Sequence, residues 1–154
     1  MDISKVKNAL QDLIIRLQDA EKGFAEIEKA TSITSLKERL STYSEERHKM
    51  HKVLESQSKL LGGDPQVKTS ILGDLHRMFI DVKINNVSYG SEVDAIVDEI
   101  ERGSSKLIED FIDVIENVEM SDNLKKVLTS QKLYVVSELE QMKSLKDELN
   151  AVNA

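Results

Sequence analysis

Apolar residues recur along this chain at steps of three, four and seven, the repeat of one helix face. The first run is Val6, Leu10, Leu13, Leu17 and Phe24, which predicts a helix over about residues 3–29. Thr31 and Ser32 break the pattern, and Thr34 or Ser35 is expected to cap the next helix, with Glu38 completing a capping box from Ser35. That second helix carries Leu36, Leu40, Tyr43, Met50, Leu54 and Leu61 inward, with Glu46 and Arg47 flanking the line. Gly62 suits the left-handed residue that closes a helix, and Pro65 prevents its resumption. A shorter helix is expected over about residues 69–87, with Leu72, Leu75, Phe79 and Val82 on one side and Ile80, Ile84 and Val87 nearly opposite. The turn residues Asn85, Asn86, Ser88 and Gly90 follow. Val93, Ile96, Ile100, Leu107, Phe111 and Val118 then mark a long helix with Ser104 on its inward line. A turn at Met120 to Asn123, capped by Ser121 or Asp122, leads to a last helix facing inward through Leu124, Leu128, Val135, Leu139 and Met142. Gln131 and Glu138 lie on or beside that face.

Two long helical hairpins joined by a helical crossover make an all-α four-helix bundle with one long connection, the topology of ferritin-like folds. No internal repeat or linker divides the sequence, so residues 1–154 are expected to form a single domain.

Composition narrows the function. The formal net charge is −7 with no basic block, so nucleic acid and anionic membrane surfaces would be repelled and neither is an expected partner. The chain has no Cys, which removes disulfides, thiolate catalysis and zinc–thiolate sites. No apolar run approaches the roughly 20 residues of a membrane span. The first residues, Met1, Asp2, Ile3, Ser4 and Lys5, lack a signal-peptide core, and a cytoplasmic location is expected. Nucleophile-elbow and phosphate-loop patterns are absent, so no catalytic residues are assigned.

Several short stretches carry a resemblance. They are Glu21-Lys22-Gly23-Phe24, Glu46-Arg47, Leu61-Gly62-Gly63-Asp64-Pro65, the stretch from His76 to Lys83, and Glu101-Arg102-Gly103. In order and spacing, from about Val6 to Leu149, they resemble a family of small bacterial ferritin-like four-helix-bundle proteins of unassigned function. Its relatives include stress-associated proteins, which implies a stress-related role. The family often has Trp where Phe79 stands, and commonly Glu where Ser104 stands.

A ferritin-like di-iron site takes one inward Glu from each of two helices and an inward Glu-x-x-His pair from each of the other two. Glu21 lies about 40° from Leu17 on the helical wheel and is expected to face inward. The pair Glu45 and His48 has the right spacing, but both fall about 140–160° from Tyr43, on the outer face. Ser104 replaces a carboxylate, and the last helix has no His; Glu138 and Gln141 are its nearest substitute. No cofactor is therefore expected. Glu21, Arg47, Ser104 and Gln131 are expected to form a buried polar network, with Glu46 or Glu138 nearby and Glu21 paired to Arg47. The alternative is a residual site for iron or another divalent metal using Glu21, Glu46 and Glu138. His48, His51 and His76 read as surface or structural histidines. The preferred function is a non-enzymatic structural or interaction protein; the alternative is an iron-handling protein or oxidoreductase.

The two-sided crossover helix implies a homo-oligomer, because Ile80, Ile84 and Val87 would otherwise form an exposed apolar patch. Light scattering should find a wild-type dimer or higher oligomer that becomes a folded monomer in the Ile80→Lys, Ile84→Lys variant. A wild type already monomeric at micromolar concentration would contradict this.

Overall fold

The computed structural model describes residues 1–63 and 89–152. The expected crossover helix, with His76, Phe79 and the stripe Ile80, Ile84 and Val87, lies outside the described residues. Among the described residues every regular element is helical: α1 (Ile3–Ala30), α2 (Thr34–Leu60), α3 (Tyr89–Asn117) and α4 (Asp122–Val152). α1 packs along α2 and α3 along α4, and α1 also meets α3, so two hairpins form a four-helix bundle.

Local chemistry sets the helix ends. The Asp2 carboxylate accepts from the backbone N–H of Ser4 at 3.0 Å and of Lys5 at 3.4 Å, which satisfies two donors that α1 leaves open. The α1–α2 turn differs from the expectation. Ile33 is the N-cap of α2 and makes no side-chain cap bond, so neither Thr34 nor Ser35 caps it. Thr31 holds the turn instead. Its hydroxyl accepts from Ile33 N–H at 3.2 Å and donates to Glu92 Oε1 on α3 at 2.6 Å. One buried threonine thus closes the first hairpin and ties it to the second. α2 ends as its glycines require: Gly62 has φ of +80°, Gly62 N–H donates to Lys59 O at 2.9 Å, and Gly63 N–H donates to Ser58 O at 2.8 Å. A Cβ at Gly63 would stand 2.3 Å from Ser58 Oγ, so the tight approach also fixes that glycine. At the start of α4, Ser121 Oγ accepts from Leu124 N–H at 3.2 Å.

The apolar stripes meet in two layers, each fed by all four helices. One holds Leu10, Leu13, Leu17, Leu54, Phe111 and Leu128; the other holds Phe24, Leu36, Leu40, Ile96, Ile100 and Met142. Burying each such side chain is worth roughly 1.5–3 kcal/mol. Between the layers each helix interrupts its stripe with a buried polar residue: Asp19 on α1, Arg47 on α2, Ser104 on α3 and Glu138 on α4. This belt lies between the two apolar layers, at the middle of the bundle.

Candidate functional site

Arg47 dominates the belt and is 1% exposed. Its guanidinium lies 2.5 Å from Glu138 Oε1 and stacks over the Phe24 ring at 5.3 Å. Tyr43 donates to the Glu138 backbone carbonyl at 3.3 Å, and Gln131 Nε2 donates to Met50 O at 3.1 Å. α2 and α4, from different hairpins, are joined through these contacts. A cavity of about 20 Å³ lies beside Arg47, Asp19, Ser104 and Asp110 and is the size of one water. Arg47 Nε is buried without a hydrogen-bond partner among the described residues, and a water there would satisfy it.

The interior does not fit a di-iron centre. A permanent guanidinium charge occupies the belt and repels divalent cations, and it holds the carboxylate of Glu138 that a metal would need. Ser104 supplies no charge from α3. Glu46 is directed to Lys49, 3.4 Å away near the surface. The alternative metal set of Glu21, Glu46 and Glu138 is not brought together: Glu21 turns to His48 and His51, and Glu138 to Arg47.

Glu21 also takes different partners from those expected. It faces the flank of α2, with its side chain 30% exposed, and pairs with histidines rather than with Arg47. Glu21 Oε1 lies 2.7 Å from His51 Nε2, and Oε2 lies 3.0 Å from His48 Nδ1. His51 is buried rather than solvated, and its Nδ1 lies 3.1 Å from Glu55 Oε2. His48 is half-exposed, as expected of a surface histidine, yet it belongs to this group. The Ser44 hydroxyl donates to Glu21 O at 2.9 Å and holds the α1 backbone against α2. Ser44, His48, His51 and Glu55 follow one another at steps of four, three and four, which is one helix face. That polar stripe beside the apolar one is the signal that sequence reasoning passed over. Arg47, Ser104 and Gln131 are buried, whereas Glu21 stands at the α1–α2 seam outside their belt.

The family described as Domain of unknown function (DUF2383) matches residues 5–117. Neither the curated proteins nor the solved structures give a match to the chain.

Burial and charge around Glu138 perturb its neighbours. Burial pushes the Glu138 carboxyl upward, and the Arg47 guanidinium reverses only part of that shift. Tyr43 is raised by burial and then by the Glu138 charge. Tyr134 is pushed up from an ordinary 10.0 to about 12, first by burial and then by Glu138. A folded pKa above the unfolded one means that the stabilising contribution is complete below the unfolded value. It is lost as pH rises through the folded value. Both tyrosines should therefore make the fold weaken above pH 10, with Tyr134 completing its loss near 12. The difference in tyrosinate absorbance between wild type and Tyr134→Phe should titrate near pH 12, well above 10.0. A midpoint at 10.0 would contradict the placement of Tyr134 against Glu138.

Proposed function

The chain belongs to this Domain of unknown function (DUF2383) family, and we propose that it is a non-enzymatic helical-bundle protein with a structural or interaction role. The observation that carries this reading is the buried Arg47–Glu138 pair at the level where a ferritin-like bundle would hold its metals. A bundle that fills this level with its own ion pair spends the space on register between hairpins, not on redox chemistry. In this reading the chain path is ferritin-like, with residues 64–88 as the crossover, and the metal centre has been replaced by a structural network. The protein is cytoplasmic, of bacterial type and stress-related, and it self-associates through Ile80, Ile84 and Val87. Two observations are consistent with the coarser part of this picture. No helix among the described residues is long and apolar enough to cross a membrane. The net charge of −7 disfavours binding to polyanions.

The alternative role, as an iron-handling protein or oxidoreductase, requires carboxylates converging in the interior. Anaerobic Fe(II) titration followed by oxygen should give no saturable oxidation of two irons per chain. Two-iron oxidation that disappears in Glu138→Gln would place the chemistry in the belt and overturn the proposal.

A further inference from the structure

We infer that Glu21, His48 and His51 form a single-ion site for a divalent transition metal of the zinc class, clasping α1 to α2. The site lies at the seam of the first hairpin, outside the Arg47–Glu138 belt, and does not depend on the reading of that belt.

Its donor atoms already converge. Glu21 Oε1 and His51 Nε2 are 2.7 Å apart, and Glu21 Oε2 and His48 Nδ1 are 3.0 Å apart. One ligand atom from each of the three residues lies within 4.8 Å of the other two. Around a tetrahedral ion with bonds of about 2.0–2.1 Å, neighbouring ligand atoms stand about 3.3 Å apart. Small side-chain adjustments on a fixed backbone bring the present spacings to that value. The backbone is held, because Ser44 bonds Glu21 O at 2.9 Å and the two histidines sit on adjacent turns of α2.

The surroundings are those of a ligand rather than of an ordinary buried histidine. His51 has a carboxylate at each ring nitrogen: Glu55 at Nδ1, 3.1 Å away, and Glu21 at Nε2. Glu55 fixes the proton on Nδ1 and leaves Nε2 to meet an ion, the carboxylate–imidazole–metal arrangement. Glu21 and Glu55 bring negative charge to the site, and Lys52 Nζ, 3.5 Å from Glu55, offsets part of it. Two imidazoles and one carboxylate select zinc, nickel or copper over magnesium or calcium, which prefer all-oxygen shells. His48, half-exposed, leaves the fourth coordination position open to water.

The sequence holds three histidines, which allows a clean test on the full chain. Protein stripped with a chelator is titrated with zinc chloride by calorimetry, and its melting temperature is followed with and without zinc. We expect one saturable equivalent per chain, a melting temperature that rises with zinc, and no response to magnesium. His48→Ala alters a half-exposed position, so it should fold normally yet lose both the binding and the zinc-dependent rise. Glu55→Gln should keep the stoichiometry with affinity lowered about 10–100-fold. His76→Ala should bind as the wild type does. The assignment is overturned by an absence of saturable zinc binding, by wild-type binding in His48→Ala or Glu55→Gln, or by loss of binding in His76→Ala. Failure here would leave the iron-oxidation result untouched, so the two readings fail separately.

Discussion

A buried arginine cannot be left alone, and the rest of this bundle is arranged around satisfying one. Arg47 lies at the middle of α2, almost completely removed from water, and its carboxylate partner Glu138 comes from α4 in the other hairpin. Removing either member would strand a charge in the interior, which costs about 3–5 kcal/mol. Sliding α2 along α4 by one turn would strand both. Hence the pair permits one alignment of the two hairpins, a constraint that Leu and Ile side chains in the apolar layers cannot impose by themselves. The upward shift of Glu138, despite Arg47 beside it, says that desolvation outweighs the attraction. We therefore take the pair to act on register rather than on net stability.

The other polar features follow the same logic of joining elements. Thr31 bonds Glu92 and fastens the α1–α2 turn to α3. Tyr43 and Gln131 reach backbone carbonyls across the belt, so buried polar groups are paired between helices that have no covalent link nearby. The Glu21, His48, His51 and Glu55 group works within one hairpin instead. That group reaches solvent through His48, whereas the interior belt is closed by a guanidinium. One fold thus separates an interior ion pair from a polar seam that opens to solvent at His48.

Much of the fold was legible in the residues. The stripes from Val6 to Phe24, from Leu36 to Leu54, and from Val93 to Phe111 became core, because helical spacing alone determines which side chains share a face. Gly62 adopts the left-handed conformation expected of it. The pairings were not legible in the same way. Whether Arg47 meets Glu21 or Glu138 depends on how the hairpins are aligned, and nothing local in the sequence encodes that. His51 was misplaced for a geometric reason. A wheel centred on Tyr43 treats α2 as having one inner side, but a bundle helix also faces its hairpin partner. His51 lies about 80° from Tyr43, on the flank turned to α1, and Glu21 meets it there.

The most direct measurement is a double-mutant cycle on Arg47 and Glu138, read by denaturant unfolding. Arg47→Met alone and Glu138→Leu alone should each lose about 3–5 kcal/mol, because each leaves an unpaired charge in the belt. The double variant should recover wild-type stability or exceed it by about 1–4 kcal/mol, as an apolar pair of similar volume fills the space without desolvating ions. Single variants with no measurable loss, or a double variant as unstable as the two losses added together, would contradict the account.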